Sequence, residues 1–183
     1  MLKYVLLGAL SYQPLTGYQI KQFIDRSAKH FWYAQTSQIY RTLDQLQAES
    51  LIRHERPETG DVADRRLFHL TESGRADLLE WLAQPMTELQ PTKDSLLVRL
   101  FFSAQIDKET VLTQLRLQRA LHQQQYKLLR DDIHAIIHTS AEQYPERQRD
   151  ALMWDIARRQ GELAEEMVIR WLGETIQRIE NEF

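Results

Sequence analysis

Residues 36–70 read TSQIYRTLDQLQAESLIRHERPETGDVADRRLFHL, and the order of patterns within this stretch decides the fold. Ile39, Leu43 and Leu46 recur at helical spacing. They predict a helix with one buried stripe, beginning near Thr36 or Ser37, either of which can cap it. After Ser50 the pattern changes. Residues 51–56 and 65–70 read as strands, and the Pro, Gly and Asp residues between them supply turn chemistry. A helix followed directly by a hairpin is the second half of a winged helix-turn-helix.

The flanks complete that order. Leu2 to Ser11 is apolar almost all round, which predicts a buried helix. Pro14 and Gly17 punctuate, and Thr16 is placed to cap a second helix from Gly17 to about Ala28. Ile20, Phe23 and Ile24 share its inner face, and Tyr18 reads as core. Thr71 can cap a fourth helix, to about Gln84, carrying Leu78, Leu79, Trp81 and Leu82. Residues 1–84 thus read as a winged helix-turn-helix domain and 85–92, with two prolines, as a linker. Residues 93–183 read as helix throughout: a short one over 93–104, a rod from 108 to about 139 capped by Asp107, and a last helix with Pro145 in its first turn. The expected fold is mainly α with a small β-hairpin wing, joined to a C-terminal antiparallel helical, coiled-coil domain.

Along the rod, Leu112, Leu115, Arg119, His122, Tyr126, Leu129, Ile133 and Ile136 step by alternating three and four residues, a seam with polar Arg119 and His122 near its centre. About 30 residues at 1.5 Å each span roughly 45 Å, too long for so small an N-terminal domain to cover. The stripe therefore calls for a second chain. Leu112, Leu115, Tyr126, Leu129, Ile133 and Ile136, with Leu163, Met167 and Trp171 of the last helix, are the expected homodimer contacts. Met153, Trp154 and Trp171 are candidates for a pocket holding a small aromatic effector, although an apolar stripe at this spacing is more often simple dimer core.

The 183 residues include no cysteine, which excludes disulfides, thiolate zinc sites and cysteine nucleophiles. The net charge of -3 creates no molecule-wide attraction for nucleic acid, so any such binding must rest on local basic groups. The apolar run Val5–Leu10 is too short for a signal segment, and no run is long enough to span a bilayer; a soluble cytoplasmic protein is expected. No G-x-S-x-G, phosphate-cradling glycine loop or G-x-G-x-x-G occurs, so neither an enzyme nor a cofactor is expected. His134 and His138 have the i, i+4 spacing of a zinc pair, but Ala135 follows His134 and no third ligand is evident; no metal is expected.

Three motifs carry a resemblance: Gly17-Tyr-Gln-Ile20, Thr36-Ser-Gln-Ile-Tyr-Arg-Thr-Leu43 and Leu70-Thr-Glu-Ser-Gly-Arg75. In order and spacing they resemble the PadR family of transcriptional regulators over nearly all of residues 1–84. The C-terminal half is similar to the helical domain of the family's virulence activators in length, helicity and the neighbourhood of Trp171. The commonest family version has proline where this chain has Arg41 and glycine where it has Ser50. The resemblance implies a winged-helix dimer on a palindromic operator, with small-molecule effectors in the repressor branches.

On that reading the helix starting at Thr36 enters the major groove. Thr36, Ser37, Gln38, Arg41, Thr42 and Gln45 lie near its start or on its exposed face. Glutamine can read adenine, and arginine can read guanine. Tyr40 can turn its hydroxyl to a phosphate while its ring packs. Lys21 and the wing residues Arg56, Arg65 and Arg66 are suited to backbone or minor-groove contact. On an isolated amphipathic helix the same side chains would be a solvated face, and a winged helix can also serve as a protein-interaction module without DNA. The operator, the effector, the regulated genes and the sign of regulation are not encoded in a legible form.

Overall fold

Leu6, Leu7, Ala9 and Leu10 are buried along helix α1 (Leu2–Tyr12), the central element of the N-terminal unit. The computed structural model describes residues 1–25, 32–55, 66–89 and 93–183. The chain divides into two units, Met1–Gln90 and Pro91–Phe183.

In the first unit, α1 is followed by strand β1 (Leu15–Thr16), helix α2 (Gly17–Phe23), helix α3 (Thr36–Ala48), strands β2 (Ile52–Glu55) and β3 (Leu67–Leu70), and helix α4 (Glu72–Ala83). Sequence reading anticipated two strands. The third, β1, pairs antiparallel with β3, Leu15 opposite Phe68 and Thr16 opposite Leu67, giving the order β1-β3-β2. Ile20, Ile24, Ile39, Leu43, Leu46 and Phe68 form the core with α1. On α4 Gly74 and Leu78 are buried and Trp81 stacks on Tyr4, centroids 4.3 Å apart, while Leu79 and Leu82 are exposed. Tyr18 is exposed too, contrary to its reading as core, and accepts a hydrogen bond from Gln22 Nε2 at 2.8 Å. The end expected for α2 near Ala28 lies outside the described residues.

Two junctions fix the wing. Helix α3 ends with Ser50 at φ 59°, its N–H donating to the Gln47 carbonyl while Leu51 N–H donates to the Leu46 carbonyl, both at 2.9 Å. That is the Schellman arrangement, in which glycine normally takes the left-handed position. At α4, Thr71 Oγ1 accepts from Gly74 N–H at 3.0 Å and donates to the Leu51 carbonyl at 2.8 Å. A Cβ at Gly74 would stand 2.0 Å from that carbonyl oxygen, so no other residue fits there.

The second unit contains helix α5 (Ser95–Phe101), helix α6 (Lys108–Lys127), a π-helical stretch (Leu128–Ile133), helix α7 (His134–Gln143) and helix α8 (Gln148–Glu182), with 3-10 turns at Ser103–Gln105 and Pro145–Arg147. Asp107 caps α6 through Thr110 N–H at 2.9 Å. The rod expected to run unbroken is thus interrupted. At the interruption Arg158 Nη1 donates to the Leu129 carbonyl at 3.3 Å, supplying an outside partner where the helical ladder shifts register. Arg158 and Glu162 form a buried ion pair at 2.7 Å, joined by Asp155 and Arg159.

Helix α8 runs antiparallel to α6 within the same chain: Arg116 pairs with Glu180 at 2.7 Å and His122 with Glu165 at 2.5 Å. Leu112 and Leu115 are buried with Val111, Leu172 and Ile176, and Leu129 is fully buried. This corrects the expectation for Leu112, Leu115 and Leu129, which are buried within the chain; His122 finds its partner on α8, while Ile136 stays exposed. Among the described residues, no helix is long and apolar enough to cross a membrane.

Candidate nucleic-acid interface

The geometry of the helix-turn-helix is set by caps and by one close contact. Thr16 Oγ1 accepts from Gln19 N–H at 3.2 Å while Gln19 Oε1 accepts from Thr16 N–H at 2.8 Å, a reciprocal capping box that fixes the start of α2. Gly17, the next residue, packs against the ring of Tyr40; an added Cβ would meet ring carbon Cε1 at 2.6 Å. Tyr40, half-buried, thereby joins α2 to α3.

Helix α3 is capped by Gln35, not by Thr36 or Ser37, which occupy its first turn. The reason is the side chain three residues on: Gln38 Oε1 accepts from Gln35 N–H at 3.0 Å. This affects chemistry as well as capping. Bidentate reading of adenine needs both the oxygen and the nitrogen of the Gln38 amide. Its oxygen is turned towards the helix end by one hydrogen bond, and its two N–H groups are left to donate outward.

Thr36, Ser37, Gln38, Arg41 and Gln45 are exposed and Thr42 is half-buried. Thr42 Oγ1 donates to the Gln38 carbonyl at 2.8 Å, and Gln45 Nε2 donates to Glu49 Oε1 at 2.8 Å. The stripe Ile39, Leu43 and Leu46, at most 1% exposed, turns this polar face outward.

Arg66 is tied to α3. Its Nη1 lies 3.1 Å from Asp44 Oδ1, and its guanidinium sits 5.4 Å from the centre of the Phe68 ring. It ties the start of β3 to α3. Lys21 pairs with Asp25, and its ammonium lies 5.8 Å over the Tyr33 ring. On β2, the Arg53 guanidinium beside Glu55 holds that carboxyl below the usual carboxylate range. Arg56 and Arg65 lie outside the described residues.

Trp32 and Tyr33 were missed by the sequence reading. They border a hollow of about 280 Å³ with Ala34, Gln38, Arg41 and Thr42. The available signal was an aromatic pair just before the cap of α3 that belongs to no helical stripe. Tyr33 is 68% exposed.

In the second unit the expected dimer residues separate into two sets. Leu112, Leu115 and Leu129 are spent inside the chain, and Trp171 packs against the cluster that holds Leu112 and Leu115. Tyr126 and Ile133 are half-buried, whereas Ile136, Leu163 and Met167 are 63%, 49% and 64% exposed. The effector candidates do not converge within the chain. Met153 is exposed, Trp154 is half-buried, and Trp171 lies 17 residues further along the same helix, about 26 Å away. His138 pairs with Glu142 at 3.4 Å, and no cluster of three metal-ligating side chains occurs among the described residues.

Two family models match the chain, the transcriptional regulator PadR-like family over residues 6–80 and the virulence activator alpha C-terminal family over residues 92–180. The negative transcriptional regulator PadR of Bacillus subtilis is 29% identical over 109 residues, 60% of either chain. The chain spans about half to three-fifths of the length of the curated relatives it matches. Bacillus subtilis PadR in complex with operator DNA superposes with a TM-score of 0.80 at 22% identity, over 97% of each chain. The same protein in complex with p-coumaric acid superposes with a TM-score of 0.74 at 21% identity, over 98% and 99%. At those identities the likeness is one of fold, and it extends over both units.

Proposed function

The chain belongs to the PadR-like family of transcriptional regulators, near its virulence-activator branch, and from that premise we propose that it is a sequence-specific DNA-binding regulator, acting as a homodimer on a palindromic operator. The observation that carries this reading is the outward face of α3. A core stripe at most 1% exposed holds the opposite side of the helix in place, and Gln38, Arg41 and Gln45 present hydrogen-bonding groups of the length that reaches base edges, with Thr42 between them. The relative solved on operator DNA shares the fold and supports the same use of it.

Residues near the start of α3 read bases in the major groove. The wing, braced by Arg66 on Asp44 and carrying Arg56 and Arg65, meets the phosphate backbone or the minor groove. Lys21 and the Tyr40 hydroxyl serve as phosphate contacts. Two-fold symmetry places every contact twice, so the operator is an inverted repeat with half-sites in helical phase. The second copy docks on the surface that Ile136, Leu163 and Met167 leave exposed. The protein works in the cytoplasm and is a binder, not an enzyme. The p-coumaric-acid complex of the relative supports a small aromatic acid as the class of effector.

A gel-shift titration on the DNA upstream of the gene, repeated across salt concentrations, tests this reading. Phosphate neutralisation requires affinity to fall steeply and linearly on a logarithmic salt scale. Binding to no fragment would refute it.

A further inference from the structure

We propose that the hollow at the start of α3 is a thymine site, taking the C5-methyl edge of that base in the major groove while the Gln38 side-chain amide donates to the base's O4. The inference rests on the DNA-binding reading and specifies what one part of the interface recognises.

Three features of the hollow define the ligand. The first is its apolar lining, from Leu2, Trp32, Tyr33 and Ala34. The second is Thr42 in the same lining. Its hydroxyl hydrogen is given to the Gln38 carbonyl at 2.8 Å, so it brings a ligand its methyl and an acceptor oxygen but no donor. The third is Gln38, also in the lining. Because Oε1 is held by Gln35 N–H at 3.0 Å, the amide meets the outside as a donor.

Of the four bases, only thymine puts an apolar group into the major groove, and it presents the O4 acceptor beside that methyl. Cytosine in the same place would bring its N4 donor against the Gln38 N–H groups and no methyl to the apolar wall. Adenine brings no methyl to the apolar lining, and its N6 donor would need the amide oxygen that is turned towards Gln35 N–H. Arg41, exposed and also in the lining, remains available to a neighbouring guanine or phosphate. The volume of about 280 Å³ admits the edge of a pyrimidine.

The test begins with selection of binding sites from a randomised duplex library by the full-length protein. Each thymine of the selected site is then replaced singly by deoxyuridine, which deletes the methyl and leaves O4 and base pairing intact. At one position per half-site the wild-type protein should lose roughly three- to tenfold in affinity, the worth of one buried methyl group. Thr42→Ser keeps the hydroxyl and removes the protein's methyl, and should shrink that deoxyuridine penalty to less than about twofold. Gln38→Glu retains a capping-box side chain and turns the donor into an acceptor, and should shift preference at that position from thymine towards cytosine. Deoxyuridine tolerated within about twofold at every thymine, or a selected site with no thymine in its half-sites, would overturn the proposal alone. Enrichment of no sequence would refute the DNA-binding reading on which it rests.

Discussion

A methyl group placed on Gly17 would stand 2.6 Å from Tyr40 Cε1 and 2.9 Å from its hydroxyl oxygen. The first residue of α2 and the ring that follows Ile39 on α3 therefore share one close contact, which sets how the two helices of the helix-turn-helix approach each other. Gly17→Ala should destabilise the protein by about 1–3 kcal/mol through overpacking. Tyr40→Ala removes the clash, so the double variant should lose less than the sum of the single losses, with a coupling of roughly 0.5–3 kcal/mol. Denaturant titration of the three variants measures this; strict additivity would mean that the ring is not what Gly17 accommodates.

Ser50 carries a left-handed backbone at φ 59° at the end of α3, where its N–H and that of Leu51 close the helix. A side chain costs about 1–2 kcal/mol in this conformation, partly offset by the greater chain entropy that glycine loses on folding. Ser50→Gly should therefore stabilise the protein by roughly 0.5–1 kcal/mol, read as a rise in the urea midpoint at unchanged slope. Ser50→Val should lower it.

Much of this architecture could be read before folding, because its signals are local. Ile39, Leu43 and Leu46 mark the buried side of α3 by spacing alone, and Thr16, Thr71 and Asp107 are short polar side chains where helices begin. What escaped was non-local. Two residues, Leu15 and Thr16, are too few to show alternation, and they become a strand only because β3 passes beside them. The period of the α6 seam says that it needs a partner helix but not whose; α8 of the same chain closes it around Leu112 and Leu115. Gln35 resembles no usual N-cap and becomes one through Gln38. At the interface, sequence pointed to the polar face of α3, while Trp32 and Tyr33 came to notice only through the hollow they border.

The buried pair Arg158–Glu162 makes the helical unit sensitive to acid. Burial alone would raise the Glu162 carboxyl, but hydrogen bonds and charge from Arg158 and Arg159 outweigh it and leave the group below its ordinary value. A carboxylate depressed in the folded state contributes stability fully present above its unfolded pKa, about 4.3, and lost as pH falls through the lower folded value. Stability should therefore decline as pH drops below about 4, and Glu162→Gln should flatten that decline while lowering stability at neutral pH by roughly 1–3 kcal/mol, since Arg158 keeps Asp155 but loses its buried charged partner. Helical circular dichroism against urea at several pH values reads both effects; an unchanged acid slope in the variant would assign the sensitivity elsewhere.

Assembly and folding should respond to different leucines. Leu163 and Met167 are exposed, so Leu163→Glu combined with Met167→Glu should yield a helical monomer. Leu115 is 1% exposed inside the chain, so Leu115→Glu should unfold the helical unit. Sedimentation velocity together with circular dichroism separates the outcomes. A dimer undisturbed by the double substitution would place the second copy on another surface.

Whether the outward face of α3 reads DNA sequence is decided by selecting sites from a randomised duplex library with the wild-type protein and with Arg41→Ala, then measuring both affinities across salt. Wild type should enrich an inverted repeat. Arg41→Ala should weaken binding to it by about 1–3 kcal/mol and flatten the preference at one base pair in each half-site, with little change at the others. If Arg41→Ala selects the same sequences with the same affinity and the same salt dependence, α3 is not the element that reads them.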